Sequence, residues 1–354
     1  MDLPPPPARS FASDNAAGAH PAVIEAVAAA NAGHALAYGD DRWTRECTGA
    51  LAELFGGGEA LLAFNGTGAN ILGLLTMLRP ADAVVCARQA HIEVDEAGAA
   101  ERIIGAKLID LPTPDGKLVA DQVRDLAHML GNEHHVQPAV VSITQSTELG
   151  TLYSADEVAA LCEAAHGLGM RVHMDGARAA NAAAALGGTA GALRSFTREA
   201  GVDVVTFGGT KNGMLGGEAV VFLDPALAAR ARHARKTATQ LASKMRFIAA
   251  QFLALLDDDR WLRLAGDANA MAARLYGAVA GLPGVDVGRP AVNGLFPVLP
   301  AAAVAPLREW SFVWDWDPHR HQVRWMTAWD TTPEDVDRFA AGVAAAVAAV
   351  SRAG

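Results

Sequence analysis

Cysteine is scarce in this sequence, which contains only Cys47, Cys86 and Cys162 in 354 residues. The three do not form a Cys-x-x-Cys pair, and each lies in a segment with a regular apolar pattern. Disulfide frameworks and zinc sites are recognised by paired or regularly spaced cysteines. We therefore predict that the three thiols are reduced core residues of a cytoplasmic protein.

Clusters of positive charge are also missing. The chain has 29 Lys and Arg residues against 39 Asp and Glu residues, which gives a formal net charge of −10, and no Lys/Arg block stands out. Nucleic acids and anionic membrane surfaces attract clustered positive charge. We therefore expect neither of them as a partner.

Long apolar runs are absent as well. The longest ones are short and rich in alanine, which argues against a membrane span. The N-terminus, with Pro4 to Pro7, has no basic region followed by an apolar stretch. It does not resemble a signal peptide, and this agrees with the predicted cytoplasmic location.

The sequence also lacks histidines at the spacing that is typical of metal ligands. His134 and His135 are adjacent, and His319 lies close to His321, but neither pair has a partner set such as His-Glu-x-x-His. A zinc site needs three or four protein ligands. We predict that these histidines lie in solvated loops and that the protein uses no metal.

Over the first two thirds of the chain, short apolar segments typical of strands alternate with segments that have helical periodicity. Short apolar segments separated by helical patterns indicate a mainly parallel sheet covered on both faces. We predict seven strands, at residues 60–64, 82–86, 107–111, 139–144, 171–174, 202–207 and 218–223.

The pattern changes after Pro225. Two long helical stretches are followed by four short strand-like segments and a closing helix, which indicates a smaller α+β unit. The helical stretches cover residues 226–256, 261–282 and 333–350, and the strand-like segments 285–287, 294–298, 311–316 and 322–328. We predict a flexible arm over residues 1–12, a large domain over 13–255 and a small domain over 256–354.

Lys211 lies in a glycine-rich loop, Gly-Gly-Thr-Lys-Asn-Gly, between two predicted strands. Glycine lets a backbone approach a bulky ligand closely. A lysine whose ammonium is desolvated forms an imine with an aldehyde. A turn lysine that points to solvent is an equally good interpretation of the loop alone.

Asp175 follows an apolar strand in the segment Val-His-Met-Asp-Gly-Ala-Arg. In an open α/β sheet the carboxyl ends of the strands face the ligand crevice. A carboxylate there can keep the pyridine nitrogen of pyridoxal phosphate protonated, which makes the ring an electron sink. A helix N-cap is the alternative. Asp175 precedes Lys211 by 36 residues, which leaves room for one helix and one strand, so the two interpretations support each other.

A second glycine-rich segment, Asn-Gly-Thr-Gly-Ala-Asn at residues 65–70, lies between a predicted strand and a helix. The N–H groups at a helix N-terminus and the helix dipole can hold a phosphate, and the Thr67 hydroxyl adds a donor. The segment is neither a P-loop nor a dinucleotide fingerprint. An ordinary tight turn remains the alternative.

Three further positions are candidates on weaker grounds. His91 follows a strand and could stack on a cofactor ring, although a surface histidine is the simpler interpretation. The polar residues 144–148 end another strand and would open onto the same crevice. Arg324 lies in an apolar segment, where a substrate carboxylate or a neighbouring acidic side chain would serve as its anion.

Taken together, these segments resemble the low-specificity L-threonine aldolases, and the resemblance covers residues 11–350. Those enzymes have the aspartate-aminotransferase-like fold of pyridoxal-phosphate enzymes, fold type I. The matching segments, in chain order, are Ser13-Asp14-Asn15, Tyr38-Gly39-Asp40-Asp41, residues 65–70, His91, residues 173–178 and the Lys211 loop.

The resemblance implies a role for each candidate residue. Lys211 forms the imine with the cofactor, Asp175 pairs with the pyridine nitrogen, and His91 stacks on the ring. The implied phosphate ligands are Gly66 and Thr67. The implied ligands of the substrate carboxylate are Ser13, Arg178 and Arg324, and Arg178 also reaches the phenolic oxygen of the cofactor.

The resemblance implies retro-aldol cleavage of β-hydroxy-α-amino acids by a homotetramer of catalytic dimers. Amino-acid β-elimination and transamination by the same fold are the alternatives, whereas a non-enzymatic effector-binding module lacks the expected DNA-binding segment. Three features depart from the family pattern, and one of them is the Lys211 loop, which reads Gly-Gly-Thr-Lys-Asn-Gly rather than the commoner Ser-Lys-Gly-Leu form. Glu148 stands where many members have a histidine that handles the substrate hydroxyl, and Arg42 stands where a proline is common. Glu148 is therefore a candidate base, together with His91 or a bound water.

Overall fold

In a computed structural model that describes residues 3–353, the chain divides into two compact units. One runs from Ala19 to Trp261, and the other combines the segment up to Gly18 with the segment from Leu262 onward. The domain limits of 13–255 and 256–354 stay a prediction.

The unit from Ala19 to Trp261 contains a seven-stranded sheet. Its strands are β1 (Glu59–Ala63), β2 (Asp82–Ala87), β3 (Lys107–Leu111), β4 (Gln137–Thr144), β5 (Arg171–Gly176), β6 (Val204–Gly208) and β7 (Glu218–Phe222). They lie in the order β1-β7-β6-β5-β4-β2-β3, and β7 is antiparallel to both of its neighbours while the other pairs are parallel. The predicted mainly parallel, seven-stranded sheet is confirmed.

Helices cover the sheet because its central strands are apolar on both faces. These helices are α1 (Pro21–Ala30), α2 (Arg42–Leu54), α3 (Gly66–Met77), α4 (His91–Val94), α5 (Ala120–Arg124), α6 (Ala155–Gly167), α7 (Ala179–Ala185), α8 (Ala190–Ser195), α9 (Pro225–Thr237) and α10 (Arg246–Leu256). Leu72 and Leu74 of α3 share one core cluster with Val140, Val204 and Val220 of the strands. Helix α3 is thereby packed against the sheet.

The single long helix predicted over residues 226–256 is wrong, since α9 ends at Thr237 and α10 begins at Arg246. Thr239 adopts a positive φ of 60°, which a helix does not tolerate. The next residue, Gln240, is buried, and its Oε1 accepts a hydrogen bond from the backbone N–H of Phe64 at 2.9 Å. A tertiary contact therefore overrides the local helical pattern.

The second unit contains a small antiparallel sheet. Its strands are β8 (Gly294–Leu295), β9 (Trp314–Asp317) and β10 (Gln322–Met326), in the order β8-β10-β9, and its helices are most of α11 (Arg260–Val279), α12 (Ala301–Trp310) and α13 (Pro333–Ala353). The predicted α+β character is confirmed. The strands predicted at 285–287 and 294–298 are shorter than expected. Gly294 and Leu295 form a two-residue strand with β10, and Val298 forms only isolated bridges, with Asp286 and with Gln322.

Residues 3–18 are packed, which differs from the flexible arm predicted over residues 1–12. Phe11 is fully buried and stacks on Phe339 with 4.2 Å between ring centroids. Its carbonyl accepts a hydrogen bond from the Met326 N–H at 2.8 Å, and Arg9 pairs with Asp335 at 3.0 Å. The aromatic contact and the ion pair hold the segment. Residues 1 and 2 lie outside the described part of the chain.

The three cysteines are buried and unpaired, as predicted for core residues. Between residues 3 and 353, no helix is both long enough and apolar enough to cross a membrane.

Candidate active site

The carboxyl ends of three neighbouring strands bring polar residues side by side. Thr144 of β4 is in register with Asp175 of β5, and Asp175 is in register with Thr206 of β6. A pocket with an empty volume of about 390 Å³ lies at this edge. It is lined by Gly66, Asn70, His91, Glu96, Thr144, Ser146, Glu148, Asp175, Ala177, Arg178 and Lys211.

Asp175 is buried and accepts two hydrogen bonds. Asn70 Nδ2 donates to its Oδ2 at 2.7 Å, and the Ala177 N–H donates to its Oδ1 at 2.9 Å. Burial acts to raise the pKa of this carboxyl, but the two hydrogen bonds and the charges of His91 and Lys211 outweigh burial and lower it. Asp175 is therefore an ionised carboxylate at neutral pH.

The Lys211 loop follows β6 as a tight turn held by buried groups. A Cβ on Gly208 would overlap the backbone of Ala177, so glycine is required where the loop passes the end of β5. The backbone N–H of Gly209 donates to Glu218 Oε2 at 2.9 Å, and Asn212 Nδ2 donates to the Trp261 carbonyl at 2.7 Å. These contacts fix the backbone on both sides of Lys211, whose side chain lines the pocket.

His91 begins α4 and forms a pair with a buried carboxylate. Its Nδ1 lies 2.8 Å from Glu96 Oε1, and the side chain of Glu96 is fully buried. This hydrogen bond is the main cause that raises the pKa of His91, against the lowering effect of burial. The ring is thereby oriented from one nitrogen and favoured in its charged form.

Glu148 lies next to His91 and belongs to the same pocket. Its Oε1 accepts hydrogen bonds from the His91 backbone N–H at 2.7 Å and from the Thr144 hydroxyl at 2.8 Å. Burial raises the pKa of Glu148 to about 7, although both hydrogen bonds act to lower it. A carboxyl with such a pKa can exchange a proton at neutral pH.

The N-terminus of α3 forms one wall of the pocket. Asn65 caps this helix, and its side chain accepts a hydrogen bond from the Gly68 N–H at 2.8 Å. Gly66 lines the pocket and has open space where a Cβ would be. Thr67, which was predicted with it, is half-buried in the same first turn and is not among the lining residues.

The remaining sequence candidates fall in two places. Arg178 follows β5 and lines the pocket with Asp175. Ser13 and Arg324 belong to the second unit, where an Arg324 Nη2 atom donates to the Ala12 carbonyl at 3.3 Å. The Arg324 guanidinium also lies 5.3 Å from the centre of the Trp316 ring.

Sequence reasoning did not assign roles to several residues of this site. Asn70 ends the glycine-rich segment and Glu96 follows His91 by five residues, so both stood beside predicted residues without a signal of their own. Glu218 was assigned only to a strand, but it is buried next to the Lys211 loop, and burial raises its pKa to about 7. The roles of these polar residues depend on tertiary contacts, which the sequence does not show.

Comparison of the sequence identifies its relatives. The model of the family described as beta-eliminating lyase matches residues 10–302. A low specificity L-threonine aldolase of Pseudomonas aeruginosa is 43% identical over 335 residues, which are 94% of this chain and 96% of the relative. Another, from a Pseudomonas species, is 41% identical over 344 residues, which are 96% and 99%.

Comparison of the structure gives the same picture. A threonine aldolase of Leishmania major has a TM-score of 0.88 at 30% identity, over 96% of this chain and 99% of the other. An aspartate aminotransferase of Rhodobacter sphaeroides has a TM-score of 0.71 at 18% identity, over 99% and 93%, and supports the fold alone.

Proposed function

This chain belongs to the beta-eliminating lyase family, and from that premise we propose that it is a pyridoxal-phosphate-dependent aldolase. It cleaves L-threonine, L-allo-threonine and related β-hydroxy-α-amino acids such as phenylserine between Cα and Cβ, to glycine and an aldehyde. The names of the two Pseudomonas relatives support this activity. The structural observation that carries the proposal is a lysine and an ionised aspartate in one pocket beside a helix N-terminus.

The pocket fits pyridoxal phosphate, which combines an aldehyde, a basic ring nitrogen and a phosphate. Lys211 offers an amine, Asp175 an anionic carboxylate, and the open side of Gly66 the N-terminus of a 12-residue helix. Glu96 Oε2 and Ser146 Oγ are buried and have no hydrogen-bond partner among residues 3–353. The pocket therefore presents polar atoms that a bound molecule could satisfy.

When bound, pyridoxal phosphate supplies a protonated pyridine ring that acts as an electron sink. In our proposal the ionised Asp175 would hold the proton at the ring nitrogen, and Lys211 would hold the cofactor at its aldehyde group. His91, oriented by Glu96, provides a flat face for the ring. Gly66 and Thr67 hold the phosphate at the start of α3.

The substrate carboxylate requires its own ligands, because the orientation of the Cα substituents decides which bond breaks. We assign this role to Arg178 in the pocket, and to Ser13 and Arg324 in the second unit. Two of the three are arginines, whose planar fork matches a carboxylate with two parallel hydrogen bonds.

The base that accepts the proton of the substrate β-hydroxyl is, in our proposal, Glu148. Its anchored oxygen Oε1 already accepts two hydrogen bonds, which leaves Oε2 for the substrate. Its pKa of about 7 means that roughly half of the molecules carry the ionised form at neutral pH. Glu148 thus replaces the family histidine with a group of similar acidity.

Replacing Glu148 with Gln should remove this base and keep the two anchoring hydrogen bonds. Because the wild-type carboxyl ionises as the pH rises through about 7, kcat should rise with pH across that region. In Glu148→Gln we expect kcat to fall about a hundredfold and this rising limb to disappear. The measurement is kcat against pH from 5.5 to 9, and an unchanged limb would assign the base to another group, such as His91.

The carboxylate ligands can be tested by replacing Arg178 or Arg324 with Lys, which keeps the charge and loses the fork. Loss of a charge-assisted hydrogen bond costs about 1.5–3 kcal/mol. Each change should lower kcat/KM for L-threonine roughly ten- to a hundredfold, while the visible absorbance of the bound cofactor persists. Full kcat/KM in Arg324→Lys would show that Arg324 does not bind the substrate carboxylate.

The assembly and location that we propose are a homotetramer of catalytic dimers in the cytoplasm. Enzymes of this fold commonly complete each active site with residues of a partner chain, so a closed symmetric oligomer is expected. Light scattering of the purified protein at micromolar concentration measures the mass directly, and a monomer would contradict the proposal.

Product analysis tests the activity itself. Purified protein should convert L-threonine, L-allo-threonine and phenylserine to equal amounts of glycine and the corresponding aldehyde. Formation of ammonia and a keto acid would instead identify a β-eliminating lyase, and a requirement for a keto-acid acceptor would identify an aminotransferase. Either result would overturn the aldolase assignment.

A further inference from the structure

Asn70 occupies a singular position in the pocket. It lies in the second turn of α3, is 2% exposed, and its side chain bonds to three residues outside that helix. Its Nδ2 donates to Asp175 Oδ2 at 2.7 Å and to Glu96 Oε1 at 2.9 Å. Its Oδ1 accepts from the Thr206 hydroxyl at 3.1 Å. The side-chain amide of Asn70 therefore donates a hydrogen bond to each of two carboxyl groups and accepts one from a hydroxyl.

The chemistry of the partners fixes the direction of this amide. An ionised carboxylate can only accept hydrogen bonds, so the Nδ2 side must face Asp175. The Thr206 hydroxyl donates to Asn70 and accepts from the Gly176 N–H at 3.3 Å, so it turns its proton toward Oδ1. Asn70 cannot flip without placing its oxygen against the Asp175 carboxylate.

Two buried carboxyl groups share this one nitrogen atom as a hydrogen-bond donor. Burial disfavours the ionised form of Asp175, and the hydrogen bond from Asn70 favours it. Asn70 supplies one N–H to each, and the pKa of Asp175 is lowered although burial opposes its ionisation. Besides Asn70, Glu96 has His91 as a hydrogen-bond partner, and Asp175 has the backbone N–H of Ala177.

We propose that Asn70 is a positioning residue, which keeps Asp175 ionised and aimed at the ring nitrogen of the cofactor by its hydrogen bond to Oδ2. This inference rests on the proposed function, since it acts on the bound pyridoxal phosphate through Asp175. Asn70 would then act on the cofactor through Asp175, in addition to being part of helix α3.

The test compares two ligands that differ at one atom. Pyridoxal phosphate carries the ring nitrogen, and its carba analogue has a C–H there and gains nothing from an ionised Asp175. We expect Asn70→Ala to weaken the binding of pyridoxal phosphate roughly ten- to a hundredfold. Binding of the carba analogue should stay within about twofold of wild type. Dissociation constants are measured by absorbance and fluorescence titration of the full-length protein after removal of its cofactor.

Matched variants separate positioning from general destabilisation. Thr76 is buried in the same helix, and its hydroxyl donates to the Gly73 carbonyl within that helix, so Thr76→Val should leave both affinities unchanged. Thr206→Val removes the hydroxyl that orients Asn70 and should weaken pyridoxal phosphate alone, while Thr206→Ser should behave as wild type. This pair decides the question if Asn70→Ala fails to fold.

The outcomes are distinguishable from failure of the proposed function. A wild-type protein that binds neither ligand contradicts the proposed function. A wild type that binds pyridoxal phosphate, with Asn70 and Thr206 variants that weaken both ligands equally or neither of them, overturns the role of Asn70. Selective loss of pyridoxal phosphate supports it.

Discussion

Replacing Lys211 with Ala should abolish the visible absorbance that wild-type protein gains with pyridoxal phosphate, and nearly all of its activity. The amine of Lys211 is held in the pocket by a loop whose backbone is fixed at Gly209 and Asn212. Tethering a reactant in this way replaces a bimolecular encounter, so its loss should cost on the order of 10⁵-fold in kcat. Absorbance spectra and initial rates with L-threonine measure the two effects.

Lys107 provides the matched control, because it is exposed at the start of an edge strand. Lys107→Ala should keep both the spectrum and the rate. Borohydride should attach the cofactor mass to the peptide that contains Lys211, as read by mass spectrometry. A wild type that stays colourless with pyridoxal phosphate, or a label on another lysine, would contradict the assignment.

Replacing Asp175 with Asn should be nearly as damaging. The side-chain amide would donate a hydrogen bond toward the ring nitrogen and favour its unprotonated form, whereas the carboxylate favours the protonated one. Removing the charged partner of a buried pair costs about 3–5 kcal/mol. This corresponds to a fall in kcat of roughly 10³-fold. Rates and the visible spectrum should change together.

Asp203 is the control for this change. It is also a buried carboxylate, bonded to His166 at 2.9 Å and to Arg171 at 2.8 Å, and it lies at the opposite ends of the strands. Asp203→Asn should lower the thermal midpoint and leave the cofactor spectrum intact. If Asp175→Asn does the same and no more, Asp175 is a structural residue.

The sequence carried enough information for the sheet because its strands are short, apolar and bounded by turn residues. It also placed Lys211 and Asp175 at strand ends, where the topology of an open sheet brings side chains together. The break after Thr237 could not be predicted, because it depends on the Gln240 contact with a residue 176 positions away. The helical periodicity of residues 226–256 does not indicate this hydrogen bond to Phe64.

The same limit explains the polar residues that were left without a role. The hydrogen bond between Asn70 and Asp175 joins positions 105 residues apart, and the one to Thr206 spans 136. No apolar pattern and no motif in the sequence indicates that Asn70 contacts Asp175 or Thr206. The resemblance to a known family located the principal side chains, whereas their supporting bonds required coordinates.

The packing of Phe11 against Phe339 has a consequence for synthesis on the ribosome. All seven strands of the large sheet lie before Leu223, so that sheet can pair before residues 262–353 are translated. Residues 3–18 are made long before the residues that hold them: the N–H of Ala8 donates to a carboxylate 327 positions later. Domains generally fold as units during translation. Residues 3–18 therefore lack their contacts with Asp335 and Phe339 until α13 has been made.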